Sequence, residues 1–473
     1  MSRAGEGRAI RDRDIATSTA KDSNIRLYAM IAFIAIVFLA GGGSRADIMS
    51  LMFLRPLAIG LVVYAVLASW PERRGFEAPT LFLLGGIGLV LLHLLPLPPG
   101  IWHSLPGREL IVETDRELGL EGLWRPLTLS PSRSLNTLFS FSIPLAAILL
   151  FQIQNDHNRT IVWPVLLGFA VLSVAVGVLQ LLDGPNSPLY LYRVTNDGSM
   201  VGIFANRNHN GVFIGFSVLL VAMSLFRSKI KLGASARLIL FAIFAGGLGM
   251  ACLVIGSRAG LIVYAVNLFA SVLYIRGSRG SPRPAAALKT GRIRKLPPAI
   301  VFGVVGSFVG LFALALYLGR GEAVTRLKEE SVLSDTRYEL LPTYLDMLSA
   351  YFPIGSGFGS FELAFRIFEP DSFLQPQFLN HAHNDFLQIV IEGGLGALAL
   401  LAMFLVWFTV KIARIWRETH GRPWSAPWAF AAVMFIISMG IASLVDYPLR
   451  VPSLAMAFMF ACGQLVRPVN GPA

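Results

Sequence analysis

Apolar runs of 16 to 26 residues recur along the chain between polar breaks, and about 20 residues suffice to cross a membrane core as a helix. The runs fall near 28–43, 51–69, 80–96, 136–152, 161–181, 210–226, 238–256, 259–275, 298–318, 385–410, 427–445 and 451–466. This pattern predicts an all-α polytopic membrane protein with about 12 transmembrane helices in one domain, 28–466. A basic cytoplasmic tail, 1–27, precedes it and a short tail, 467–473, follows. Three of the connections that share one side are long, 97–135, 182–209 and 319–384, and the others there are tight hairpins. In the third, "SDTRYELLPTYLDMLSAYFP" puts Leu341, Tyr344, Leu345 and Leu348 at helical spacing. This predicts an amphipathic helix lying on the membrane surface with that stripe down.

Composition agrees, because 55% of the 473 residues are hydrophobic and 14% charged, against about 25% charged in soluble domains. An even number of spans puts both termini on one side. With that side cytoplasmic, the inner segments hold 25 Lys and Arg against 8 Asp and Glu, and the outer segments hold 15 against 20. The positive-inside rule therefore predicts that the three long loops, including 319–384, face outward. The net charge of +12 is explained by a cytoplasmic face against anionic lipid and asks for no nucleic-acid partner. Cys252 and Cys462 lie in apolar runs and are expected as buried thiols, not a bridge. The short first run, followed by "GGGSRA", leaves a cleavable signal peptide open.

Polar chemistry collects at the outer ends of the spans. The stretch "NHAHNDFLQ", 380–388, brings His381, His383, Asn384 and Asp385 to the start of an apolar run. An extended backbone would turn His381, His383 and Asp385 to one face, as a zinc site requires, but no further ligand stands at a recognisable spacing. A structural histidine and a catalytic base are the other readings. Glu392 follows nine residues after His383, about 13 Å deeper along a helix and near the membrane midplane. It is expected protonated, paired with an arginine, or hydrogen-bonded beside Gly393, Gly394 and Gly396. Arg258, in "IGSRAGLIVY", stands in a two-residue outer turn, where it either snorkels to lipid phosphate or binds a substrate phosphate. Arg337 heads the amphipathic helix beside Asp335 and Glu339. The run "FANRNHNGVF" supplies Asn206, Arg207, Asn208, His209 and Asn210 at the start of a span. One helix cap uses one Asn, so this run suggests substrate contact.

Taken in order, these pieces resemble the bacterial O-antigen ligase and polymerase family of membrane glycosyltransferases, most densely over 200–400. His383 and Asn384 followed by "DFLQIVI", Glu392 and "GGLG" are similar to the family's His-Asn, Glu and Gly-rich pattern. Ser257, Arg258, Ala259 and Gly260 resemble its Ser-Arg-small-small motif, and Arg337 followed by "FPIGSGFGSF" resembles its second arginine and Pro-φ-Gly-x-Gly turn. Ala397 stands where members often have a further glycine, and Ile262 where a ligase more often has Leu; the two activities stay open here.

The resemblance implies an inverting, metal-independent enzyme without a cofactor, in the bacterial inner membrane with its active site facing the periplasm. It would move a glycan from an undecaprenyl-diphosphate donor to a hydroxyl of a glycan or lipid A core, in lipopolysaccharide or surface polysaccharide synthesis. His383 would be the catalytic base and Arg258 and Arg337 would bind the diphosphate. Asn206, Arg207, Asn208, His209 and Asn384 would contact substrate, with His381, Asp385 and Glu392 left as structural or unassigned. A flippase or transporter is disfavoured, because transporters place ionisable groups at the midplane of several helices, whereas here they gather at span ends.

Overall fold

A computed structural model describes residues 3–69, 75–227, 232–279, 339–374 and 379–466. Within them the chain is almost entirely helical. Along the first half run α1 (Arg3–Ala40), α2 (Leu51–Ser69), α3 (Ala78–His93), α4 (Pro131–Ser140), α5 (Ser142–Gln152), α6 (Val162–Asp183), α7 (Arg207–Arg227), α8 (Ala234–Ile255) and α9 (Arg258–Arg279). After the undescribed stretch come α10 (Leu341–Tyr351), α11 (Phe361–Phe368), α12 (Asp385–Glu418), α13 (Pro427–Ser443) and α14 (Pro452–Gln464).

Helices occupy eleven of the twelve stretches expected as spans, and the twelfth, 298–318, lies outside the described residues. Among the described residues, eight helical stretches are long and apolar enough to cross a membrane: α1, α2, α4 continued by α5, α6, α7, α8, α9 and α12. Helices α3 and α13 are apolar but shorter.

Helix α7 is the hub. Val212, Phe213, Phe216, Leu219 and Met223 are all buried although they point in different directions, as expected for a helix enclosed by others. Its tightest neighbour is α9. A Cβ on Gly260 would come within 2.7 Å of the Gly211 carbonyl carbon, and one on Gly215 within 2.7 Å of the Gly260 oxygen. Small residues thus let two backbones touch, the usual device for helix association in lipid. Helix α1 joins the same core through Phe38, stacked on Phe169 at 4.9 Å. Its end is tied down by backbone bonds from Ala205 to the Gly42 oxygen and from Ser453 to the Gly41 oxygen, both 3.0 Å. Cys252 and Cys462 are buried free thiols.

A smaller layer covers the same end of the bundle. Among the described residues its strands are β1 (Pro96–Leu97) and β2 (Arg125–Pro126), paired antiparallel. The buried Arg108 donates to the carbonyl oxygens of Leu127 at 2.8 Å and Gly355 at 3.3 Å, binding this hairpin to the glycine-rich loop after α10. Helix α10 departs from expectation in one respect. Leu341 and Leu345 face outward, but Tyr344 turns inward and packs on Phe361 and Phe365 of α11 with Met347 and Tyr351. A phenol ring finds more contact against α11 than at a lipid surface, so the buried face is Thr343, Tyr344, Met347 and Tyr351.

Candidate active site

Apart from Arg337, which lies outside the described residues, the polar residues singled out from sequence gather at one end of the bundle, where α7, α9 and α12 start and where the connection from α13 to α14 carries Asp446–Arg450. At α12 the side-chain oxygen of Asn384 accepts the Leu387 N–H at 3.0 Å, capping the helix. His383, the residue before the cap, has φ +50°, a left-handed conformation uncommon outside glycine and asparagine. This twist separates the residues considered for a zinc site. His383 Nδ1 faces Asp446 Oδ1 at 3.5 Å, His381 Nδ1 lies 3.3 Å from Gln388 Nε2, and Asp385 Oδ1 accepts from Arg450 Nε at 3.0 Å. The three side chains take three different partners. Among the described residues no group of three or more His, Cys, Asp or Glu side chains has a metal-holding arrangement.

Tyr447 stands at the centre of three imidazoles, its ring centroid 4.4 Å from His381, 5.0 Å from His383 and 5.4 Å from His209. Asp446 is buried beside it. One carboxylate oxygen accepts the Tyr447 N–H at 2.9 Å and faces His383, and the other lies 3.9 Å from His209 Nε2. Both imidazole distances exceed a normal hydrogen bond, and catalytic hydrogen bonds commonly tighten only when substrate is present. His381 sits in the loop ahead of α12, where burial, then the Arg450 charge and His383, hold its pKa well below the usual 6.5.

Glu392 has both the arginine and the hydrogen bonds that its burial demands. Gln388 Nε2 donates to it at 3.0 Å, the Phe361 N–H at 3.2 Å, and Arg450 Nη2 lies at 3.8 Å. Helix α12 breaks two residues later at Gly394, φ +56° and ψ −143°. The freed backbone groups are met by the glycine-rich loop. Ser356 N–H donates to the Ile391 oxygen at 3.0 Å, Gly357 N–H to the Glu392 oxygen at 2.8 Å, and Leu395 N–H to the Pro353 oxygen at 2.8 Å. A Cβ at Gly394 would overlap the Pro353 oxygen, and one at Gly355 the Glu392 oxygen. Glycine is required at both. The 24 residues from Leu395 to Glu418 rise about 36 Å, a length that spans a membrane core without the turns before Gly394. Glu392 is enclosed by Gln388, Arg450 and the Phe361 N–H, and irregular chain near lipid survives where protein or a water-filled cavity surrounds it.

At the start of α9, Ser257 Oγ accepts the Gly260 N–H at 3.1 Å and Gly260 packs on α7, so two residues of the Ser-Arg-Ala-Gly motif have structural duties. Arg258, between them, is exposed at the first helical position beside the start of α7. The asparagine run at α7 divides similarly. Asn206 Oδ1 accepts the Asn208 N–H at 2.8 Å, Asn210 is buried between Ser173 and the Met200 carbonyl, and His209 is buried facing Asp446. Arg207 and Asn208 are half-buried at the rim. Arg337 lies outside the described residues. Sequence reasoning missed Asp446, Tyr447 and Arg450. A signal was present, since Asp446 and Arg450 are the charged residues within an otherwise apolar 427–466, and ionisable groups there are seldom idle.

Residues 240–402 match the model of the O-Antigen ligase family. No curated protein matches the chain. The matched segment contains Arg258, Arg337, His383 and Glu392 and excludes His209, Asp446 and Arg450.

Proposed function

We propose that this membrane enzyme of the O-antigen ligase and polymerase type transfers a glycan from a polyprenyl-diphosphate donor to an acceptor hydroxyl at the outer face of the inner membrane. The observation that carries the reading is the pairing of His383 Nδ1 with the buried Asp446 at 3.5 Å, inside a family-matched segment and at the bundle end where Arg258 is exposed. A carboxylate on Nδ1 favours the tautomer whose proton is there and leaves Nε2 as the basic nitrogen. As the acceptor oxygen bonds to the anomeric carbon, its proton passes to His383 Nε2. The bond from that carbon to the diphosphate oxygen breaks, and the configuration inverts. Asp446 then stabilises the imidazolium, a general-base contribution typically worth about 10² to 10⁴ in rate.

The leaving group is a diphosphate, and planar guanidinium groups hold its oxygens in pairs as charge develops, the role assigned to Arg258 and Arg337. Asn206, Arg207 and Asn208, at the rim, fall to substrate contact, whereas Asn384 acts through its cap. The long loops face the periplasm, and ligation is the activity assigned. Two measurements test this. Arg258→Lys and Arg337→Lys keep the charge but lose the paired geometry, so each should leave less activity than Arg326→Lys; equal activity in all three contradicts the diphosphate role. Deleting the gene should leave long surface glycans that are made but unattached, whereas single repeats alone indicate polymerisation.

A further inference from the structure

We infer that His209 is a positioning residue for this reaction: acting through Asp446, it fixes the imidazole of His383. The inference rests on the reading of His383 as the base. Asp446 lies between imidazoles delivered by the starts of two separate helices, Oδ1 3.5 Å from His383 Nδ1 and Oδ2 3.9 Å from His209 Nε2. Oδ1 also accepts the Tyr447 N–H at 2.9 Å, so backbone holds one side of the carboxylate while its other oxygen is turned to His209.

A core histidine kept for packing alone fits these facts poorly. The His209 side chain is 1% exposed, and neither ring nitrogen has a hydrogen-bond partner among the described residues. Leaving such a group unmatched costs about 1 to 3 kcal/mol, which an apolar side chain of the same size would avoid. The backbone that carries it is also fixed more firmly than packing requires. Asn210 is bonded to Ser173 at 2.8 Å and to the Met200 carbonyl at 2.9 Å, and a Cβ on Gly211 would stand 3.0 Å from that of Ser257. Rigid neighbours on both sides are what a group needs if it is to set another's orientation.

Contracting the 3.9 Å separation by about 1 Å makes His209 Nε2–H a donor to Asp446 Oδ2. Oδ1 is then turned to His383 Nδ1–H, and His383 Nε2 stays unprotonated toward the acceptor. His209 itself takes up no proton: when His383 receives the hydroxyl proton, the imidazolium and the Asp446 carboxylate balance.

The test compares His209→Phe, which keeps a ring against Tyr447 and removes both nitrogens, with His209→Gln, whose amide Nε2 stands near the imidazole Nε2. Turnover and apparent KM for donor are measured on the full chain, in membranes carrying the native lipid-linked glycan. His209→Phe should lower kcat at least about tenfold with KM within about twofold, and His209→Gln should recover most of that loss. Combined with Asp446→Asn, His209→Phe should add less than about twofold, because the two act on one element. Wild-type kcat in His209→Phe, equal damage in Phe and Gln, or multiplicative losses in the double variant each overturn the inference. If His209→Phe does not accumulate, His209→Leu takes its place in the same comparisons. Full activity in His383→Ala would instead remove the base assignment beneath it; an inactive His383→Ala beside an unaffected His209→Phe removes the positioning role alone.

Discussion

The starts of α7 and α12 look alike in sequence, each mixing asparagines with histidine at the head of an apolar run, yet the structure uses their side chains in two ways. At both, an asparagine oxygen caps a backbone N–H, Asn206 to Asn208 at 2.8 Å and Asn384 to Leu387 at 3.0 Å. At both, a histidine turns instead toward Asp446. The two histidines differ in burial and backbone. His209 is enclosed within a regular helix, whereas His383 keeps 18% side-chain exposure and a left-handed backbone just ahead of its helix. Strained backbone clusters at functional sites, and exposure is what a group needs to meet a substrate. Amides at a helix start therefore go largely to backbone and neighbouring helices, which leaves the imidazoles facing Asp446.

The largest stability effect expected from breaking this arrangement lies at Arg450, which ties the Asp446–Arg450 link to the start of α12 through Asp385 at 3.0 Å and Glu392 at 3.8 Å. Arg450→Gln leaves two buried carboxylates without their cation and should cost of order 3 kcal/mol. Thermal unfolding in detergent measures it. Adding Asp385→Asn should restore part of the loss, since one stranded charge is then removed; a double variant less stable than Arg450→Gln would argue against the ion pair.

The caps should give a smaller and matched effect. Asn206→Ala and Asn384→Ala should each cost about 1 kcal/mol, and serine at either position should recover most of it. A well-folded Asn384→Ala without turnover would make Asn384 a substrate contact and set the two helix starts further apart in role.

A further effect is a pH dependence at His381. Because burial, then Arg450 and His383, depress its folded pKa, the unfolded chain takes up a proton below about 6.5 that the folded chain refuses. Stability should fall as pH drops from 7 toward 5, and His381→Gln should flatten that slope. Identical slopes in the two proteins would mean that His381 is as easily protonated folded as unfolded.

Hydropathy made most of the helices legible, because a membrane leaves a chain few ways to satisfy its backbone. His383 and Glu392 were legible through their spacing before and within an apolar run. The Asp446–Arg450 link was not, since Arg450 meets Asp385 65 residues away, Asp446 faces His209 from a still more distant part of the chain, and a short polar hairpin between spans looks like a connection. The break at Gly394 was hidden for another reason. Glycines in a transmembrane run suggest close helix packing, and nothing local distinguishes that use from a left-handed φ that lets a distant loop supply hydrogen bonds. Tyr344 kept the helical period but chose the protein side, a decision made by the rings of α11.

The most direct measurement is turnover and donor binding for His383→Ala beside His381→Ala, in membranes with matched expression. The two residues share a loop and both pack on Tyr447, but His383 is the one that faces Asp446. Removing His383 should lower turnover by about 10² to 10⁴ with donor binding nearly intact, and removing His381 should cost much less. Equal losses in the two variants, or full activity in His383→Ala, would contradict the account.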